Sequence, residues 1–159
     1  MNVTLRVRWS IAVKIITLLV VIVISYAEYA LIVNGKIFLP IVITVVSLLV
    51  VACTPISVTL NHSEFVLKKI IGKIHIPYHQ IETIEPFVFT NNIRLFGSGG
   101  FCGYIGFFFN DEKGRYYAYI GNVKQSFYIA TKSKKYAFSC ENTPFVIETI
   151  KNHIQHGTI

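Results

Sequence analysis

The chain has 159 residues, of which 53% are hydrophobic and 14% are charged, and its formal net charge is +7. This length allows one small domain in addition to any membrane segment. The apolar excess lies mainly before residue 56, and the remainder is only mildly basic. Because a nucleic-acid-binding domain usually carries a strong basic patch, we expect no nucleic-acid partner.

Two apolar runs, at about 9–33 and 37–55, open the chain on either side of Asn34-Gly35-Lys36. Only two charged residues interrupt the first run, and none interrupts the second. About twenty apolar residues in a helix cross the roughly 30 Å hydrocarbon core of a bilayer, where a helix satisfies its own backbone hydrogen bonds. The pattern predicts that residues 1–55 form a hairpin of two transmembrane helices.

Basic residues flank this predicted hairpin on one side. Arg6 and Arg8 precede the first helix, and Lys68, Lys69 and Lys73 follow the second, whereas the connection between the helices holds a single lysine. The positive-inside rule then places both termini, and the segment that follows the hairpin, in the cytoplasm. We therefore expect a multi-pass protein of the cytoplasmic membrane.

An alternative to the first transmembrane helix is a signal peptide. Cleavage would follow Ala27, because Ser25-Tyr26-Ala27 comes after a basic and then an apolar segment. Apolar residues resume at Ala30, which favours a helix that is retained. In either case the second helix would anchor the chain with the later residues inside.

The segment 56–159 reads as one domain of strands followed by a helix. Alternating and apolar segments predict about seven short strands. Turns are indicated at Asn61-His62-Ser63 and at Lys132-Ser133-Lys134. The final segment predicts an amphipathic helix, since its isoleucines recur at helical spacing at positions Ile147, Ile150 and Ile154. We expect this helix to cover the open end of the strand system.

The stretch from Arg94 to Gly106 is the most distinctive part of the sequence because it is rich in glycine and aromatic residues. It does not match a phosphate-binding loop, since no Gly-Lys-Ser/Thr occurs and a strand follows where a helix would be needed. We expect a bent or bulged pair of strands in which Gly99 and Gly103 lie where a side chain does not fit.

Three segments carry a family resemblance, and they are Ile76-Pro77-Tyr78-x-x-Ile81, Arg94-x-x-Gly97-x-Gly99-Gly100-x-x-Gly103-x-x-Gly106, and Lys135-Tyr136-Ala137-Phe138-Ser139 followed by Thr143-Pro144-Phe145-Val146. Together they resemble the bacterial pleckstrin-homology (PH)-like domains of membrane proteins. The resemblance covers about residues 56–155. It implies a split β-barrel capped by the C-terminal helix, held at the bacterial inner membrane. Such folds serve lipid binding and protein docking alike, so the resemblance does not select one function.

No pattern in the sequence supports an enzyme or a metal site. The three cysteines form no C-x-x-C pair, which excludes a zinc ribbon or a thioredoxin-like site by spacing. His75 and His79 are four residues apart, but Pro77 between them would break the helix that aligns such a pair. An enzyme built on Cys102 or Cys140 with a histidine is a low-weight alternative. We expect no catalysis and no cofactor.

Basic residues are the remaining candidates for a binding site. PH domains that bind phosphoinositides use basic residues around the first hairpin turn, but here that turn, Asn61-His62-Ser63, holds no Lys or Arg. The residues left as candidate ligand or lipid contacts are Lys68, Lys69, Lys73, Arg94, Lys132, Lys134 and Lys135.

The favoured hypothesis is a non-catalytic, membrane-tethered PH-like module that binds another protein or a second copy of this chain. The alternative is peripheral binding of anionic lipid headgroups by the basic turns, because an anionic inner leaflet attracts basic residues. Salt-sensitive binding to liposomes would favour this alternative.

Overall fold

A computed structural model describes residues 2–156. The elements, in chain order, are β1 (Val3–Arg6), α1 (Ile11–Val33), α2 (Phe38–Ala52), β2 (Pro55–Leu60), β3 (Glu64–Lys69), β4 (Lys73–Pro77), β5 (Ile81–Pro86), β6 (Asn92–Gly100), β7 (Gly103–Asn110), β8 (Gly114–Ile120), β9 (Ser126–Thr131), β10 (Lys135–Ser139) and α3 (Thr143–His156). Single 3-10 turns precede β5 and β9.

The first two helices form an antiparallel hairpin. Ser10 caps the start of α1, where its Oγ accepts a hydrogen bond from the amide of Val13. Gly35 has φ +72, and this left-handed conformation lets the chain reverse direction between the helices. Within the hairpin the Thr44 hydroxyl donates to Glu28 Oε1 at 2.8 Å. The single carboxylate of this apolar segment therefore has a partner on the neighbouring helix.

Only α1, among the described residues, is both long and apolar enough to cross a membrane, and its most apolar stretch is not buried within the protein. The second helix has 15 residues, which is roughly 22 Å at 1.5 Å per residue. The prediction of a second spanning helix at 37–55 is therefore not met. The apolar run continues beyond Ala52, but from Pro55 onward it belongs to strand β2.

The strands form two sheets that pack face to face as a β-sandwich. One sheet has four antiparallel strands in the order β1-β2-β3-β4. The other has six strands in the order β5-β9-β10-β8-β7-β6, in which only β8 and β10 run parallel. The predicted split barrel of about seven strands is wrong on both counts. The predicted segment holds nine strands, β2 to β10, and β1 brings the number among the described residues to ten; the two sheets do not close on each other.

Strand β1 lies before the membrane-type helices in sequence but belongs to the sandwich. It pairs with β2 in antiparallel register, for example Thr4 with Thr59. Val7, which follows it, is buried in the main core. Arg8 forms a salt bridge with Glu141. The predicted boundary at residue 55 therefore assigned to the membrane segment a strand that folds with the domain.

The start of α1 packs directly on the turn between β6 and β7. The Thr17 hydroxyl accepts a hydrogen bond from the amide of Cys102 at 2.9 Å and donates to the carbonyl of Val13 at 2.7 Å. Val13 is fully buried, and Ile16 packs on Gly100. The first two turns of α1 are therefore part of the domain's packing.

The main core lies between the two sheets and is closed by α3. Phe65 from the four-stranded sheet meets Phe127 and Phe138 from the six-stranded sheet, and all three side chains are fully buried. From α3, Val146 and Ile150 are fully buried in the same cluster. The predicted amphipathic C-terminal helix, with its apolar face turned to the strands, is confirmed.

Candidate functional site

Two glycines of the glycine-rich hairpin force β6 and β7 close together. Gly97 and Gly106 are directly opposite each other and have φ values of +110 and +133. A Cβ on Gly97 would lie 2.2 Å from the carbonyl oxygen of Ile105, and one on Gly106 would lie 2.2 Å from that of Phe96. Backbone cannot yield at such distances, so neither position accepts a side chain.

The prediction that Gly99 and Gly103 lie where a side chain does not fit is confirmed for one of them only. Gly103 has φ +119, and a Cβ there would lie 2.9 Å from the carbonyl oxygen of Ile120, so the prediction is confirmed for this position. Gly99 has no positive φ of this kind, and its nearest neighbour is the Arg94 guanidinium. Because that group ends a flexible side chain and can move, the prediction for Gly99 is wrong.

A row of side chains runs across the inner face of the six-stranded sheet, from the core to the open edge. Strand register places these side chains opposite one another in the order Ile84, Ile129, Tyr136, Tyr117, Phe107 and Phe96. We call its last four members, Tyr136, Tyr117, Phe107 and Phe96, the aromatic row. The ring centroids of Phe107 and Tyr117 are 5.1 Å apart, and those of Tyr117 and Tyr136 are 5.9 Å apart.

The line of side chains that runs from Ile129 to Phe96 is buried at its core end and most exposed at the edge of the sheet, while Phe107 is only partly exposed. Ile129 is 0% exposed, Tyr117 is 39% exposed and Phe96 is 80% exposed. The cause is the difference in width between the sheets, because four strands pack on β5, β9 and β10 and leave β6 and β7 outside the main core. The result is an exposed apolar surface at the edge strand β6, where Ile93 and Leu95 are also exposed.

The outer face of the same sheet is closed by the connection between β5 and β6. Phe87 in this connection packs on Tyr116 and Tyr128, with centroid distances of 5.4 and 6.0 Å. Burial raises the pKa of Tyr116 far above its ordinary value, and its hydroxyl donates to Asn92 Oδ1 at 2.6 Å. This face is a second core, so the inner face is the one that offers an open surface.

A cleft with an excess of basic residues lies beside the aromatic row. Phe107 and Tyr117 line it together with Glu82, Arg115 and the turn between β9 and β10. The predicted contacts Lys132 and Lys134 are exposed on this turn. Lys135 follows them, but its ammonium donates to the carbonyl of Lys113 at 2.8 Å. Of the three predicted lysines, Lys132 and Lys134 form no ion pair with a carboxylate of residues 2–156 and present their charges at this end of the sheet.

The other predicted basic residues lie elsewhere. Lys68, Lys69 and Lys73 surround the turn between β3 and β4, which bonds to the end of α2 through the Ile71 amide and the Ala52 carbonyl. The structure thus separates the candidates into two groups. Lys68, Lys69 and Lys73 lie next to the helix ends. Lys132, Lys134 and Lys135 lie at the opposite end of the six-stranded sheet from Gly121, whose carbonyl accepts a hydrogen bond from the Ser10 amide at the start of α1.

Arg94 belongs to neither lysine group. It is exposed on β6, where its guanidinium lies over Gly99 of the same strand. Of the seven predicted contacts it is the one on the edge strand that also carries Phe96.

Sequence reasoning missed the aromatic row. Its four members come from four strands, and two of these, β8 and β10, are neighbours in space but not in sequence. No local pattern specifies that pairing or its register. The exposed aromatic residues could be noticed in the sequence, but their alignment could not.

The thiols of the domain are buried. Burial raises the pKa of Cys140 to about 12, although the Thr143 hydroxyl beside it acts in the opposite direction. Burial likewise raises the pKa of Cys102, partly offset by the Thr54 hydroxyl. Such thiols stay protonated at neutral pH, whereas a nucleophilic cysteine needs a lowered pKa. Within residues 2–156 no group of three or more His, Cys, Asp or Glu side chains is placed to hold a metal ion.

We expect Cys102 and Cys140 of the native protein to react with maleimide at less than about a tenth of the rate of an exposed thiol at neutral pH, because thiolate is the reactive form. Labelling should increase with pH and become complete after unfolding. Mass spectrometry of labelled peptides measures this, and Ser133→Cys, at an exposed turn position, provides the fast control. If either cysteine of the folded protein reacted as fast as the control, the result would support the alternative of a Cys/His enzyme.

The fold and the site define a class. A β-sandwich of two sheets closed by a C-terminal helix is the architecture of a PH-like domain.

A family model described as a bacterial PH domain matches residues 56–154. The chain therefore belongs to the bacterial PH domain family, and the predicted resemblance is confirmed. No curated protein and no solved structure matches the chain. Strand β1 and the helices α1 and α2 lie outside the matched residues.

Proposed function

We propose that this protein is a membrane-anchored, non-catalytic docking module whose PH-like domain binds an extended segment of another protein along the aromatic row. PH-like domains suggest a binding module, which is the basis of the proposal.

The anchor is the hairpin of α1 and α2. The domain bonds to both helices, because the amide of Cys102 donates to Thr17 of α1 and the amide of Ile71 donates to the carbonyl of Ala52, the last residue of α2. The part of α1 beyond residue 17 and the whole of α2 are therefore of similar length, roughly 24 and 22 Å at 1.5 Å per residue. Both lengths are below the roughly 30 Å of an average hydrocarbon core, and α2 alone does not meet the length expected of a spanning helix. Because bilayers thin around short apolar segments at modest cost, we propose that the hairpin nevertheless crosses the membrane.

The outward surface of the hairpin supports this anchor. Leu18 and Leu19 of α1 and Leu48 and Leu49 of α2 are all more than half exposed. A soluble helix pair would bury such side chains, whereas lipid accepts them. Because both helices join the domain at the same end, a spanning hairpin leaves the domain on one side of the membrane, and the positive-inside rule applied to its flanking Arg and Lys residues favours the cytoplasmic side.

The packing of the N-terminus favours a retained α1 over a cleaved signal peptide. Cleavage after Ala27 would separate β1 and the first turns of α1 from the rest of the chain. These residues include Val7 and Val13, which are buried, and Thr17, which bonds to Cys102. A segment that is removed has no need of such contacts.

The single observation that carries the docking surface is the aromatic row. Phe96, at 80% exposure, ends the row on an edge strand, and edge strands offer unpaired backbone groups to an added strand. Arg115, Lys132 and Lys134 give the adjoining cleft a positive charge. A partner segment that combines apolar and acidic residues in an extended conformation fits both features.

The test is selection of peptides from a random display library against the full chain in lipid nanodiscs. We expect the selected peptides to be acidic and apolar. Phe96→Ser should weaken their binding by about tenfold or more, since an exposed aromatic anchor that becomes buried contributes on the order of 1.5–3 kcal/mol. Fluorescence polarisation of labelled peptides measures this.

Val88→Ser is the matched control, because Val88 is 73% exposed but lies outside the aromatic row. Equal weakening by both variants would contradict docking at the row. If the protein forms dimers in detergent and Phe96→Ser dissociates them, the occupant of this surface would instead be a second copy of the chain.

A further inference from the structure

The turn between β3 and β4 carries two isoleucines where polar or small residues are usual. It spans Lys69 to Gly72, with the Lys69 amide bonded to the Gly72 carbonyl at 3.0 Å. Ile70 is 50% exposed and Ile71 is 69% exposed. Central turn positions favour Gly, Pro, Asn, Asp and Ser for conformational reasons. Folding of the hairpin therefore does not explain the two exposed isoleucines.

Hydrogen bonds fix this turn to the end of α2. The Ile70 amide donates to the Thr54 carbonyl at 3.0 Å, and the Ile71 amide donates to the Ala52 carbonyl at 2.9 Å. The last turn of α2 presents Leu48 and Leu49 on its surface. The isoleucines thus lie at the level where the apolar helix ends, which in a membrane is the boundary between acyl chains and headgroups.

Two lysines face each other across the strands that lead into this turn. Lys68 and Lys73 are directly opposite in register, and both are exposed. Like charges in this arrangement destabilise a strand pair. Neither lysine forms an ion pair with a carboxylate of residues 2–156. Lys69 is directed elsewhere, since its ammonium lies 5.8 Å from the centroid of the Tyr119 ring.

We propose that this turn is an anionic-phospholipid site, in which Lys68 and Lys73 share a lipid phosphate while Ile70 and Ile71 enter the headgroup boundary. The proposal rests on the membrane anchoring given under the proposed function. An anion between the two ammonium groups would relieve their repulsion, and the bilayer that holds α2 is the source of anions at this level. The lysines of the β9–β10 turn lie away from the helix ends and take no part.

The experiment measures the depth of a single tryptophan in vesicles that contain brominated lipids. The chain has one tryptophan, Trp9, so Trp9→Phe gives a silent background. Ile71→Trp in this background is reconstituted, as the full chain, into phosphatidylcholine vesicles with or without roughly 30 mol% phosphatidylglycerol. We expect quenching of this tryptophan to be about twofold stronger than at the control position Ser133→Trp, and to increase with the anionic lipid.

Charge variants test the lysine pair separately. Lys68→Gln combined with Lys73→Gln should remove the increase caused by phosphatidylglycerol, whereas Lys132→Gln combined with Lys134→Gln should leave it unchanged. Ile70→Trp provides a second reporter in case the first variant folds poorly. Addition of inorganic phosphate at constant ionic strength should not reverse the quenching, which distinguishes a lipid phosphate from a free one.

Two results would overturn the inference in distinguishable ways. Equal quenching at residues 71 and 133, in protein that resists carbonate extraction from the vesicles, would refute the lipid site and leave the anchor intact. Release of the full chain by carbonate would refute the anchor and the lipid site together. Quenching at residue 71 that does not depend on Lys68 and Lys73 would refute the role of the lysine pair.

Discussion

Replacement of Ile150 by Asp is expected to unfold the β-sandwich. Ile150 is 0% exposed and lies in the main core beneath α3. A carboxylate there loses its hydration without gaining a partner, and α3, with 14 residues, is too short to persist in water without its buried face. The milder Ile150→Ala should cost about 2–5 kcal/mol, as other buried branched residues do.

Urea unfolding of the full chain in detergent, followed by circular dichroism and limited proteolysis, measures both variants. Glu148→Gln is the control, because Glu148 lies on the exposed side of the same helix, and we expect a change within about 0.5 kcal/mol. A folded Ile150→Asp protein would contradict the role of α3 as a core element. The helix would then have to be a surface for partners.

The second large effect is expected at Gly106. Substitution by Ala places a Cβ 2.2 Å from the carbonyl oxygen of Phe96 and holds Ala at φ +133, so the paired strands have to separate. The strained conformation alone costs on the order of 1–3 kcal/mol, and loss of the strand pairing adds to it. We expect Gly97→Ala to behave in the same way, since the two positions are opposite each other.

Gly99→Ala provides the contrast within the same hairpin. Only the end of the Arg94 side chain has to move there, so we expect a loss below about 1 kcal/mol. Thermal melting of the three variants in identical nanodiscs gives the comparison. An equally low melting temperature for Gly99→Ala and Gly106→Ala would contradict the inference that Gly106 is required for the close approach of β6 and β7.

Predictions from the sequence held where a pattern is local. The isoleucines of α3 repeat at helical spacing, and the helix buries that face. The apolar run of α1 and the motifs typical of the bacterial PH family also need no knowledge of distant residues. These features follow from periodicity, length and composition alone.

Predictions failed where the outcome depends on pairing. The apolar run of the second helix passes into β2 without a change in composition, so hydropathy could not show that the helix ends at Ala52. Strand β1 has four residues and acquires its structure from a partner more than fifty residues away. The glycine-rich stretch forms the expected bulged pair of strands, with a register shift between Arg94 and Phe96, but the sequence did not show that Gly97 and Gly106 would lie opposite each other.

The pairing of β1 with β2 also determines how the domain is held at the membrane under the proposed anchoring. The two strands are neighbours in one sheet, and the helical hairpin is the chain that joins them. The anchor is thus an enlarged hairpin connection with two covalent attachments to the same sheet. A domain on one flexible linker can swivel about it, whereas two short attachments, from Arg6 to Ile11 and from Ala52 to Pro55, prevent that rotation. The aromatic row is consequently presented at a restricted angle to the bilayer, and a partner meets a surface whose orientation is already set before it binds.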